Sequence, residues 1–193
     1  HYGEYYLDNE VFAPLFERLN AYGMNAYVHH TPVPVEYASI ADYNNLRRSL
    51  GRCMDQLTAV GRELFSGMFD KYPNVRLIHS MLGGGFFTFS EMLMPHGSAA
   101  PDASGRFTAT PESMRHHLAN NVFFEMSHAQ PWGKVLLETA VKVLGADHIL
   151  YGSSSPVKAE WMRGGPDFVR ALEVSEDDKA LMLCENAKRL YQI

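Results

Sequence analysis

Two cysteines, Cys53 and Cys184, are all that the 193 residues contain, and they lie far apart. A disulfide framework is excluded at that number. Reduced structural thiols are the expectation, with a single bridge left open. A surplus of positive charge is missing too: the net charge is −5 and no lysine or arginine run stands out. Nucleic acid is therefore not expected as a partner, because it requires a basic stripe. No apolar run reaches the roughly 20 residues that span a bilayer, so a membrane is not expected either. No secretory leader is visible and a cytoplasmic location is expected. The chain opens at His1 without an initiator methionine, which leaves a tag remnant, a processed product or a fragment as readings. Neither a repeat at solenoid spacing nor a domain boundary is found, so residues 1–193 read as one α/β domain. Apolar residues, in contrast, are plentiful. At 46% hydrophobic and 12% aromatic, the chain can build a packed core and does not read as disordered.

Four segments share one layout, a short apolar run ending in polar or imidazole side chains. They lie at 25–30 (Asn-Ala-Tyr-Val-His-His), 75–80 (Val-Arg-Leu-Ile-His-Ser), 121–127 (Asn-Val-Phe-Phe-Glu-Met-Ser) and 148–152 (His-Ile-Leu-Tyr-Gly). Strands buried on both faces read this way, which indicates a parallel sheet. Their spacing leaves room for crossover helices. The polar groups gather at the C-terminal ends, where α/β folds place their chemistry. His29 and His79 are the first candidates. His30, Glu125, His128 and Ser153 follow as rim residues suited to binding a small substrate. His29 and His30 are adjacent on a strand end, so their rings should diverge and only one should face the centre.

The stretches between the strands read as helices and loops. Val11, Phe12, Leu15, Phe16 and Leu19 form a helical stripe, capped by Asp8 or Asn9 and ended by Gly23. Residues from about Asp42 to Tyr72 read as one long helix or two, with an apolar face from Leu46 to Met68. Gly83-Gly84-Gly85 lacks the P-loop Lys-Ser/Thr and the Rossmann spacing, so close backbone packing is the favoured reading. Residues 95–111, rich in Gly, Ser, Ala and Pro, read as a mobile loop over the C-terminal face. A helix follows at Pro111–Ala119, with His116-His117 on its solvated side, and another runs from near Pro131 to Leu144. Gly164-Gly165-Pro166 reads as a turn before two final helices, at 167–172 and 176–191. Ser153, Ser154 and Ser155 lack the G-x-S-x-G elbow of a serine nucleophile.

Three stretches carry a resemblance. "FSGMFDKYPNVRLIHSMLGGG" (65–85) is similar to a pattern with "fdryP" at a helix end and "HlGG" at the end of the next strand. "DHILYGSSSPV" (147–157) is similar to "driLfGSDyP", and "CENAKRL" (184–190) to "eNArrlf". "YVHHT" (27–31) adds a "v.iHp" strand end. In this order they resemble the C-terminal half of the amidohydrolase-related family, which includes aminocarboxymuconate-semialdehyde and resorcylate-type decarboxylases. The resemblance implies a (β/α)8 barrel of TIM type with a divalent metal, zinc or manganese, at its mouth. This chain would supply the last four βα units. It also implies His29 as a metal ligand, His79 as the acid/base beside the metal, and Ser154 at the place of the family's ligating aspartate.

Two departures follow. A serine hydroxyl is a weak ligand and no base at neutral pH, and the chain has no His-x-His pair such as the family carries on its first strand. Zinc sites with catalytic roles use about three protein ligands, so the chain alone is expected to hold no stoichiometric metal. Two function classes remain. One is a metal-dependent hydrolase or nonoxidative decarboxylase acting on a small carboxylate or a C–N or C–O bond. The other is a non-catalytic, metal-free barrel fragment or partner subunit. Four parallel strands cannot close a barrel, so a homodimer or a missing N-terminal half is the expected partner.

Overall fold

The computed structural model of the chain describes residues 1–94, 109–127 and 132–193. Most of the loop read at 95–111, and His128, lie outside these residues.

Asn9 accepts a hydrogen bond from the Val11 amide at 3.0 Å and starts a short 3-10 turn, which leads into helix α1, Ala13–Tyr22. Gly23, at φ +58°, ends it. Strand β1 spans Asn25–Val28, β2 Arg76–His79, β3 Val122–Glu125 and β4 Ile149–Leu150. All pair in parallel, in the order β1-β2-β3-β4. The four expected strands are therefore present in their expected succession. Each is shorter than the segment read for it, and β2 and β3 keep the first residue of their polar ends, His79 and Glu125, within the ladder.

The helix between β1 and β2 opens with a turn at Asn44–Leu46 and a π-helical stretch at Arg47–Gly51, then continues as α2, Arg52–Phe65. Its buried face differs from the expected one. Leu46 and Leu50 are exposed, whereas Asp55, Gln56 and Glu63 are buried beside Ala59, Val60 and Leu64. Each of these three polar side chains has a partner inside. The Thr31 amide donates to Asp55 at 2.9 Å, and Gln56 and Glu63 both reach His79. A buried polar group with its hydrogen bond made is tolerated where a leucine stripe was expected.

Beyond His79 the chain makes one left-handed turn. Met81, Leu82, Gly83, Gly84 and Gly85 all have positive φ, between 50° and 86°. Met81 and Leu82 pay about 1–2 kcal/mol each for that conformation. Gly84 is the reason the turn fits: a Cβ there would overlap the Cys53 carbonyl of α2. The glycine run thus serves close backbone packing.

Helix α3, Pro111–Asn121, is capped by Thr110, whose hydroxyl accepts from the Ser113 amide at 3.1 Å. His117 on this helix is buried and faces Asp70 at 3.0 Å, so only His116 of that pair lies on the solvated side. Helix α4, Gly133–Leu144, stops at Gly145. The expected turn at 164–166 is instead the interior of helix α5, Ala159–Arg170. Buried Gly165 lies against Tyr151 and Trp161, and this packing outweighs the helix-breaking tendency of Gly-Gly-Pro. The last helix, α6, Asn186–Tyr191, follows a π-helical stretch at Leu181–Glu185. Asn186 donates to the carbonyls of Ala146 and Ile149 at 2.7 and 2.8 Å and fixes α6 to the start of β4.

The large core lies between the sheet and its helices and includes Phe16, Leu64, Phe69, Leu77, Phe124 and Trp161. The opposite, inner face of the sheet carries a small second cluster of Ile78, Phe123 and Leu150, and Leu190 of α6 covers it. A half-barrel is expected to leave its inner face partly wet, and α6 covers the part formed by Ile78, Phe123 and Leu150. β1 and β4 are the two edges of the sheet. Val11, Leu15, Tyr22 and Met24, all near β1 in sequence, are exposed, and of the expected α1 stripe only Phe16 is fully buried. Leu190→Ala should remove the lid on the inner cluster and lower stability by about 2–3 kcal/mol, read as a reduced urea midpoint.

Candidate active site at the C-terminal ends of the strands

Side chains alternate along each strand, and the register aligns their inner members. Tyr27 lies opposite Ile78, Ile78 opposite Phe123, and Glu125 opposite Leu150. His29 and Ser80 follow two residues after Tyr27 and Ile78, and Ser127 two after Glu125. A cavity of about 580 Å³ opens above this layer. His29, His30, Glu125, Ser153 and Ser154 all line it, so five of the candidate residues come together.

Glu125 is the buried acid of the cavity. Its Oε2 accepts from the Tyr27 hydroxyl at 3.0 Å and the Ser127 hydroxyl at 2.5 Å. Burial pushes its carboxyl above the ordinary carboxylate range, and the two hydroxyl donors partly offset this. The Tyr27 phenol is pushed up by burial and by the neighbouring Glu125 charge. Gly152 makes room for the acid, since a Cβ there would overlap the Glu125 carboxylate.

His29 and His30 do not diverge. Strand β1 ends at Val28, alternation lapses, and the two rings stack with centroids 4.2 Å apart. His30 is buried, with its ring Nδ1 3.1 Å from the Ser80 hydroxyl, which also accepts from the His30 amide at 3.2 Å. His29 is more exposed, and its Nδ1 donates to the His30 carbonyl at 2.8 Å. Ser154 sits at φ +51°, a conformation that Asn and Asp adopt more readily than most residues.

His79 is not part of the cavity. Its neighbour Ile78 faces inward, so alternation turns His79 into the helix layer. There Gln56 Oε1 accepts from Nδ1 at 3.0 Å, and Nε2 lies 2.7 Å from Glu63 Oε2. The ring is fully buried. The expected acid/base at the mouth is thus, in this geometry, a clamp between β2 and α2. Tyr27, Arg52, Ser80 and Ser127 were missed by sequence reasoning. For Tyr27 and Ser127 the signal was available, since each lies two residues from a named candidate on the same face. Arg52 is placed by tertiary packing.

A sequence profile described as Amidohydrolase matches residues 1–193. The chain belongs to the amidohydrolase family. Gamma-resorcylate decarboxylase of Polaromonas sp. is 26% identical over 191 residues, which is 97% of this chain and 56% of that protein. The crystal structure of 5-carboxyvanillate decarboxylase LigW from Sphingomonas paucimobilis matches with a TM-score of 0.78 at 24% identity, over 100% of this chain and 56% of that one. 5-Carboxyvanillate decarboxylase from Novosphingobium aromaticivorans, complexed with manganese and 4-hydroxy-3-methoxy-5-nitrobenzoic acid, gives a TM-score of 0.81 at 21% identity, over 100% and 55%. The fold is therefore a partial TIM-type barrel, and the chain spans a little over half the length of these relatives.

For the metal of such amidohydrolases the donor set does not fit. Among the described residues no three His, Cys, Asp or Glu side chains lie close enough together to hold an ion. Ser154 lines the same cavity as His29 with a neutral hydroxyl in place of a carboxylate.

Two predictions concern Glu125. Its raised folded-state pKa means that the native protein keeps this proton longer than the unfolded chain. The linked stability is present below the ordinary carboxylate range and is lost as pH rises through the raised value. Glu125→Gln, which keeps an oxygen acceptor and cannot ionise, should match the wild type in acid and exceed it in stability near neutrality. Urea titrations from about pH 4 to 8 check this; a stability difference that does not change with pH would refute it. Second, Gly152→Ala should be destabilising, and less so in a Glu125→Ala background. The expected coupling is about 1 kcal/mol or more in a double-mutant cycle.

Proposed function

We propose that this chain is the C-terminal half of a barrel that removes carbon dioxide from a small aromatic carboxylate without an oxidant. The observation that carries the reading is the cavity itself. It combines an apolar floor of Ile78 and Leu150, room for a single ring, and a buried acid, Glu125, held by two hydroxyls. The decarboxylase relatives support the same chemistry. In such a reaction the bond from ring carbon to carboxylate breaks, and its electron pair stays on the ring carbon and takes up a proton. Glu125 is the proposed holder of that proton, because burial favours its neutral form. Tyr27 and Ser127 fix the orientation of its carboxyl. The hydroxyls of Ser153 and Ser154 are the proposed contacts for polar ring substituents, and His30, tied to Ser80, closes one wall. No step is assigned to a metal, since the described residues do not make a site for one.

The N-terminal half of such a barrel, or a second copy of this chain, is the proposed partner of the β1 edge. Unpaired strand edges bordered by exposed apolar side chains invite pairing. A second reading, a subunit that binds without turnover, is favoured by Ser154 at the place of the aspartate and by His79 facing the helix layer.

Carbon dioxide release from gamma-resorcylate, with resorcinol as the second product, separates the two. The decarboxylase reading expects turnover, and a loss of about a hundredfold in kcat for Glu125→Gln. No turnover in the protein completed with its N-terminal half would leave the binding subunit. In a protein so completed, Ser154→Asp should raise manganese affinity, measured by metal titration. The 193-residue chain alone should hold far less than one metal per chain after dialysis.

A further inference from the structure

Arg52 is the one cavity-lining side chain whose charge no described group answers. It opens α2 directly after the π-helical stretch Arg47–Gly51, and it lines the mouth together with His29, His30 and Glu125. Its Nε is buried and makes no hydrogen bond. The acids within reach of this end of α2 are already engaged. Glu125 accepts from Tyr27 and Ser127. Asp55, one turn along α2, accepts from the Thr31 amide and lies 3.6 Å from the terminal amine of His1. Arg48, a turn earlier, adds a like charge rather than an opposite one. Burial and that neighbour both disfavour the Arg52 cation and lower its pKa.

Arg52 is half-buried, so water can reach its outer nitrogens, but the buried Nε has no hydrogen-bond partner among the described residues. The planar fork of the guanidinium suits a carboxylate, which it can bind through two parallel hydrogen bonds. The rest of the cavity says what the anion is attached to. Ile78 and Leu150 offer an apolar floor, and Tyr27 and Tyr151 offer ring faces. π-Helical turns inside α-helices occur frequently at functional sites. The stretch at 47–51 ends where Arg52 begins.

We infer that Arg52 is the anion anchor of the mouth, binding the carboxylate of a ring-bearing ligand whose body rests on Ile78 and Leu150. This rests on the proposed function for the location of the site, and it adds the residue that selects the acid over its neutral product.

The test compares gamma-resorcylate with resorcinol, which has the same ring and hydroxyls but no carboxylate. Calorimetric affinities of the protein that carries this chain, completed with its N-terminal half, are measured for both ligands. The wild type should prefer gamma-resorcylate. Arg52→Gln should weaken gamma-resorcylate binding by at least about tenfold and leave resorcinol binding unchanged. Arg52→Lys, which keeps the charge without the fork, should fall between them and guards against a folding defect in the glutamine variant. The salt dependence of gamma-resorcylate binding should flatten in Arg52→Gln. Unchanged preference for the acid in Arg52→Gln, or no preference in the wild type, overturns the anchor. Carbon dioxide release is read on the same samples. Turnover with an Arg52-independent affinity would overturn the anchor and keep the decarboxylase. An Arg52-dependent affinity without turnover would keep the anchor and overturn the decarboxylase.

Discussion

The approach of residues 81–85 to helix α2 sets the geometry of the whole mouth. Five successive positive φ values reverse the chain directly after β2, and the reversal is possible only because Gly84 lets two backbones meet where a side chain would collide. Once α2 is seated there, its first turn lies over the loop that follows β1. Asp55 then reaches the Thr31 amide, and Gly51 packs against the Pro32 carbonyl. Ser80, at the head of the same turn, is left facing His30. One close contact between backbones thereby fixes the helix, the loop and two of the cavity's walls.

The seam between β2 and α2 is polar where most such seams are apolar. His79, Gln56 and Glu63 are all buried, and they are tolerable there because each meets a complementary partner. Removing one member would leave a buried group without its partner, which is costlier than the pair is beneficial. Such a seam sets register more than it adds stability. It holds β2 so that Ile78 and Ser80 face inward, and the inner layer of Tyr27, Ile78 and Phe123 depends on that register.

The half-barrel solves its open face with its own C-terminus. Asn186 fixes α6 at the base of β4, and Leu190 then lies over Ile78, Phe123 and Leu150. The base of the inner face is closed, while the mouth above it and the β1 edge stay open. The chemistry at the mouth is correspondingly a mixture. The acid and its hydroxyl donors lie together within this chain, whereas no three metal-ligating side chains do among the described residues.

The sequence by itself determined the four strands, their parallel succession, the C-terminal location of the polar groups and the family. Apolar runs with polar ends and motif order are local properties, and they survive folding unchanged. That His29, His30, Glu125, Ser153 and Ser154 gather in one cavity was legible for the same reason. Tertiary structure decided the direction of His79, because alternation is counted from whichever neighbour the core takes, and the core took Leu77 while Ile78 faced inward. It decided that Gly164-Gly165-Pro166 is helix, because a buried glycine against Tyr151 and Trp161 outweighs a local breaking tendency. It brought Arg52 to the mouth from a helix whose apolar stripe had suggested a different buried face. No local pattern could show that placement, since it depends on Gly84 meeting a carbonyl that lies 31 residues earlier in the chain.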